Sequence, residues 1–307
     1  MPLFVFSGKE KADFYDNIPI FFRELIARLN DKETSVVKAA NASLSSITKH
    51  VPVEELVKSI EYIRNVLATV VSDARRRKGG VGDSDFYLPG FNMPKGLEPL
   101  WPIYQRGILY GDSSIREVAA SGLSEMIDLT ADKYFAGPLV IKMTGPLLRV
   151  VGDRNPSSVK IAIVKTLGTI LKKGGPALRA FVPQFQTTFV KALSDPSKHV
   201  RSEATTALAL LMPLTTRVDP LIKELVSGST GRSASVAGLD KKGVVVIQIT
   251  MLIALEIVLE NGGSKAKLPN TIRSAKEAAE EIVADNEDDE HLIEAAQKVI
   301  EVVNRLN

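Results

Sequence analysis

The chain of 307 residues carries three histidines, His50, His199 and His291, and no cysteine. A zinc centre needs three or four nitrogen, sulfur or carboxylate ligands converging on one point, and acid–base catalysis needs an imidazole within hydrogen-bond reach of a partner. Separations of 149 and 92 residues put these rings on different elements, so they read as surface or packing residues. Without thiols there is no disulfide framework, thiolate metal site or cysteine nucleophile, and a reducing compartment, cytosol or nucleus, is the expected setting. No phosphate-loop, nucleophile-elbow or HExxH zinc-protease motif occurs. The chain therefore reads as non-catalytic, with no metal, cofactor or small-molecule substrate.

The remaining candidates are clusters of charge. The acidic run NEDDE at 286–290 offers carboxylates to a cation. It also precedes an apolar-periodic segment, and reads better as a helix N-cap and first turn, where the macrodipole favours negative charge. The densest positive charge is Arg75, Arg76, Arg77 and Lys78, followed by Gly79 and Gly80. As a solvated loop it needs no partner. As a binding element, four adjacent bases would release counterions from RNA or a ribosomal surface, or meet an acidic protein. Phe86, Tyr87 and Phe91 follow, either as faces for base stacking or as anchors pinning the end of a loop. Trp101 and Tyr104 read as core residues. Net charge is +3, but residues 263–307 hold six Lys/Arg against ten Asp/Glu, leaving +7 on residues 1–262. That mild basic bias fits RNA or an acidic protein without demanding either.

Helices must position these groups. Apolar residues recur at i, i+3, i+4 and i+7, and period-2 alternation is scarce. The pattern predicts helices over 18–29, 34–47 and 53–71, and then fails across SDARRRKGGVGDSDFYLPGFNMPK (72–95), which reads as an inserted basic, Gly-rich loop. Helical periodicity resumes near 96 and runs to the end with short turns, the longest segments being 156–173, 233–260 and 266–284. The expected organisation is N-terminal helices (1–71), the loop (72–95), central repeats (96–230) and C-terminal helices (231–307). No run reaches the roughly 18–20 uninterrupted apolar residues of a membrane span, since 244–259 is broken by Gln248, Thr250 and Glu256. The opening MPLFVFSGKEK lacks the basic flank and long apolar stretch of a secretory signal, and suits the cut end of something larger.

Four segments share one grammar: a turn Asp, small polar residues, then Val or Ile followed by a base. They are Asp31 with Val37-Lys38, Asp112 with Ile115-Arg116, Asp153 with Val159-Lys160, and Asp195 with Val200-Arg201. The Asp residues lie 81, 41 and 42 apart, the first gap spanning two units and the loop. Each Asp is placed to accept backbone N–H groups at a helix start, each Val or Ile to pack inward, and each base to meet an Asp of a neighbouring unit. A two-helix unit of roughly 40 residues has HEAT or armadillo geometry. The expected fold is an all-α, HEAT-type solenoid of stacked helical hairpins.

Particular strings narrow this further. LPGFNMPKGLEPLWPIYQRGILYGDSSIREVAASGLSEMIDLT (88–130), TGPLLRVVGDRNPSSVK (144–160), GPALRAFVPQFQTTFVKALSDPSKHVRSEA (175–204) and TRVDPLIKEL (216–225) resemble the C-terminal part of the general control non-derepressible one family, very large HEAT-repeat translational activators. PQFQTTF and TGPLLR are more specific than a generic repeat pattern. The resemblance implies a cytoplasmic, ribosome-associated scaffold that activates the amino-acid-starvation kinase of initiation factor two alpha by binding the kinase's N-terminal RWD domain. It also places the kinase-contacting arginine, in the family's TGPLhR block (h, aliphatic), at Arg149, with Lys142 and Arg154 flanking the same surface. Family members are several times longer, so the chain resembles a fragment. Judged from periodicity alone, Arg149 ends a predicted helix, where it would answer the last carbonyls or pair with Asp153.

Overall fold

The computed structural model describes residues 15–77, 86–135, 137–152, 154–232, 236–286 and 289–306. Among these residues every regular element is helical and no strand occurs, as the repeat grammar predicts. The chain divides into two compact units, 1–174 and 175–307. Grouping the repeats further, at 71, 95 and 230, is our proposal from the sequence.

The first unit contains α1 (Ile18–Arg28), α2 (Thr34–His50), α3 (Val53–Val57), α4 (Ile60–Arg77), α5 (Trp101–Tyr110), α6 (Ser113–Asp128), α7 (Pro138–Val150) and α8 (Ser157–Gly174). One layer is α3, α5 and α7; the other is α4, α6 and α8, with α5 on α6 and α7 on α8 closing hairpins. The reason is visible along α6, where Ala119, Ala120, Leu123, Met126 and Ile127 are fully buried. That is the i, i+1, i+4, i+7, i+8 stripe of a helix with one inward face. Burying each large aliphatic side chain contributes about 1.5–3 kcal/mol. Small residues set the spacing, because a Cβ on Gly122 would lie 2.8 Å from the Tyr104 ring.

The second unit repeats the plan. Its hairpins are α9 (Val182–Ala192) with α10 (Lys198–Leu211), α11 (Asp219–Ser229) with α12 (Lys241–Gly262), and α13 (Pro269–Asp285) with α14 (Glu290–Leu306); α10, α12 and α14 form one layer, and α11 packs beside α13. By length and composition α12 is apolar enough to cross a membrane, which revises the reading that no segment approaches a span. Here it packs against α10, α11 and α14, the position of a solenoid core helix.

The repeat grammar is half realised as expected. Asp112 Oδ1 accepts the N–H of Ile115 at 2.9 Å, Asp31 that of Glu33 at 3.0 Å, and Asp195 that of Ser197 at 2.9 Å. Val37, Val159 and Val200 are buried. Asp153 lies outside the described residues. Of the bases expected to form a ladder to neighbouring Asp residues, two have other partners. Arg201 donates instead to the carbonyls of Asp195 and Pro196 and to Thr250 Oγ1, and Arg116 to Leu109 O and Asn155 Oδ1. Both reach carbonyls at the end of their own hairpin turn. Repeats are tied by other groups. Lys173 Nζ donates to the carbonyls of Ile127, Asp128 and Thr130 at the end of α6, and Lys265 Nζ to those of Met212 and Thr215 after α10. In both places an ammonium meets the negative end of a helix.

Two boundaries change. The helix expected over 53–71 is two, α3 and α4, and α4 continues to Arg77, so 72–77 belong to a helix rather than to the inserted loop. Arginine is a good helix former, and bases in a last turn complement the macrodipole. Lys78, Gly79 and Gly80 lie outside the described residues. The far end of the expected loop is a packed strap. Phe86, Leu88 and Phe91 are buried, Gly90 N–H donates to Leu29 O at 2.8 Å, and Leu88 N–H to Leu129 O at 2.9 Å. Of the two readings for these aromatics, Phe86 and Phe91 are anchors, not stacking faces. Trp101 and Tyr104 are core.

Candidate functional site

The site builds outward from the turn between α7 and α8. Asn155 organises it: its Nδ2 donates to Val150 O at 2.6 Å, answering a carbonyl of the last turn of α7, and its Oδ1 accepts from Arg116 of the preceding hairpin at 2.9 Å. Arg116 in turn donates to Leu109 O. Asn155 and Arg116 thus bind two successive hairpin turns together. The carbonyls that Arg149 was expected to answer are met by others, since Val150 O takes Asn155 and Leu147 O takes the N–H of Val151.

Arg149 is left pointing outward. Its side chain is exposed, without a hydrogen-bond or ion-pair partner among the described residues; Asp153, the other partner expected for it, lies outside them. It lines an open groove of about 460 Å³ with Arg154, also exposed, and with Tyr110, Arg116 and Asn155. Tyr110 is 62% exposed, and the Arg106 guanidinium sits 4.1 Å from its ring centroid while bonded to Glu54 at 2.9 Å. The groove therefore offers two exposed guanidinium forks, unpartnered among the described residues, beside an aromatic face held by a third cation. Such a surface suits carboxylates and apolar rims on a protein partner.

Of the expected flanking residues, the structure brings Arg154 to Arg149 in one groove. Lys142 does not line it; seven residues earlier on α7, it is exposed on the same helix face about 10 Å away. Arg75, Arg76 and Arg77 are exposed in the last turn of α4 and line no part of the groove; Arg76 pairs with Asp73 at 2.6 Å. His50, His199 and His291 are all exposed. Asp289 accepts the Leu292 N–H at 3.1 Å, which makes the described part of the acidic run a helix start. Tyr110 and Asn155 escaped the sequence reading. The one available signal was an asparagine inside a Gly-Asp-Arg-Asn-Pro turn.

Residues 3–95 match the family described as stalled ribosome sensor GCN1-like, HEAT repeats. The chain is 35% identical to the stalled ribosome sensor GCN1 of Mus musculus over 85% of its length. It is 39% identical to Protein ILITYHIA of Arabidopsis thaliana over 72%, and 32% identical to the eIF-2-alpha kinase activator GCN1 of Saccharomyces cerevisiae over 92%. The chain belongs to the GCN1-like family. It spans 9%, 8% and 10% of these three relatives. In fold, a chain from a structure of Kap95p with RanGDP superposes with a TM-score of 0.54 at 13% identity, over 91% of this chain and 36% of that one. Arg149 and Arg154 lie in the stretch TGPLLRVVGDRN of this GCN1-like HEAT-repeat chain.

Proposed function

We propose that this chain is a non-catalytic scaffold that binds the N-terminal RWD domain of the amino-acid-starvation kinase through Arg149, with Arg154 beside it, and so promotes kinase activation on ribosomes in the cytoplasm. The observation that carries this reading is the state of Arg149: an exposed guanidinium, unengaged among the described residues, at a turn braced by Asn155 and Arg116. Relatives named as an eIF-2-alpha kinase activator and a stalled ribosome sensor support the translational setting. No catalytic group is required, because a rigid repeat surface recruits by shape and charge. Arg149→Ala should weaken capture of the purified RWD domain by at least about tenfold, roughly 1.4 kcal/mol, with helicity and melting unchanged. Undiminished binding would remove Arg149 from the site.

A second reading has one observation behind it. Arg75 and Arg77 are exposed and unpartnered among the described residues at the end of α4, as a ribosomal RNA contact through Arg75, Arg76, Arg77 and Lys78 would need. It predicts RNA affinity that falls steeply with salt and is lost on charge reversal of those residues, with Arg149→Ala silent.

A further inference from the structure

Helix α12 carries apolar residues beyond its buried face, interrupted by Gln248, Thr250, Glu256 and Glu260. Ile247, Met251, Leu252, Leu255, Val258 and Leu259 are buried against its neighbours. On another side Val246 and Ile253 are 41% and 39% exposed, with Ile249 and Ile257 half-buried. An apolar stripe on a helix normally faces another element. The positions 246, 249, 253 and 257 fall on one helical face and floor an open groove of about 720 Å³ in the second unit, between α10 and α14. The stripe runs for about 17 Å, three helical turns.

The rim is mostly basic. Lys198 and Arg201 stand on the α10 side, and His291 and Lys298 on the α14 side. The single carboxylate lining the groove is Glu294, which Lys298 already holds at 2.8 Å. Arg201 is fixed by carbonyls of its own turn and by Thr250, so its charge is set in place, and Lys198 has no partner among the described residues. An occupant needs apolar side chains at helical spacing for the floor and acidic ones for the rim.

We propose that this groove docks an amphipathic helix of a partner protein, its apolar stripe on Val246, Ile249, Ile253 and Ile257 and its acidic flanks between Lys198 and Lys298. The site is separate from Arg149 and does not depend on it. Ridges at i, i+3 and i+4 on the incoming helix match those of α12, and the flanking carboxylates supply direction and selectivity rather than most of the affinity.

The test is fluorescence anisotropy of the full chain with two labelled synthetic helices of about four turns. Both carry Leu at i, i+3, i+4 and i+7; one has Glu at the flanking positions, the other Lys. The Glu peptide should bind at least about tenfold more tightly than the Lys peptide. Ile253→Asp, a change at a partly exposed position, should abolish that binding. Lys198→Glu combined with Lys298→Glu should reverse the preference, and it decides the matter if Ile253→Asp lowers helicity. Arg149→Ala should leave peptide binding intact. Equal binding of the two peptides, or wild-type affinity in both groove variants, overturns the proposal. So does a dimer of the chain, seen by light scattering, that Ile253→Asp dissolves, or Ile253-dependent capture by phosphatidylserine vesicles, each of which names another occupant.

Discussion

At the scale of single residues, the groove at Arg149 depends on the shape of a side chain as much as on its charge. A guanidinium presents a planar fork that reads a carboxylate with two hydrogen bonds, whereas an ammonium is a hydrated point charge. Arg149→Lys is therefore expected to lose most of the RWD binding that Arg149→Ala loses, with identical melting, in a titration of the purified domain. Retention of wild-type affinity by the lysine variant would reduce the contact to simple charge attraction. A different residue tests the core. Tyr104 is fully buried, its hydroxyl has no hydrogen-bond partner among the described residues, and burial pushes the phenol above its ordinary range, Glu125 adding and Arg64 opposing. An orphaned hydroxyl contributes nothing that its removal would cost. Tyr104→Phe should leave urea stability within about 1 kcal/mol of the parent or raise it. A larger loss would reveal a bound water satisfying that oxygen.

At the scale of elements, the strap from 86 to 100 does more than connect. Asn41 of α2 is buried and donates to the carbonyls of Gly90 and Gly96, both at 3.2 Å. Asn92 accepts the Ala131 N–H at 2.6 Å and donates to Leu88 O. A Cβ on Gly96 would come within 2.6 Å of the Gly90 and Phe91 carbonyl oxygens, so the strap folds tightly on itself. Asn41→Ala should cost about 1–3 kcal/mol, the penalty for two buried acceptors losing their donor. Hydrogen exchange should rise first at Gly90 and Gly96. Exchange rising uniformly would mean that the strap does not open as a local unit. The same segment marks how far the sequence could be read. Helical periodicity and the turn Asp residues were legible because each rests on local spacing: Asp112 and Ile115 are three residues apart. The strap was not, because Asn41 and Gly90 are brought together by packing across 49 residues and no periodicity announces them. Arg149 was marked by the TGPLLR string, and one of its expected carbonyl partners, Val150 O, was taken by Asn155, which also accepts from the neighbouring hairpin's Arg116.

At the scale of the whole chain, stability in a repeat array is a sum of hairpins and nearest-neighbour interfaces, so a perturbation in one unit need not be felt in the other. Two natural probes make this measurable. Trp101 is the only tryptophan, buried in the first unit, whereas far-ultraviolet circular dichroism reports helices of both. The second unit has a titratable tie. Asp219, at the start of α11, is buried, which opposes its charge. The backbone N–H groups of Leu268 and Lys267, at 3.0 and 3.1 Å, outweigh that cost and hold the carboxyl below its ordinary 3.8. A folded pKa below the unfolded one means that the unfolded chain binds more protons between the two values. The contribution is therefore complete above about pH 4 and drains away as pH falls through the folded pKa. Asp219→Asn should lower the circular-dichroism midpoint at neutral pH, and the gap from wild type should narrow on acidification below pH about 4. The Trp101 fluorescence midpoint should stay where it is at both pH values. If both probes shift together by the same amount, the two units unfold as one cooperative body and the nearest-neighbour description fails for this chain.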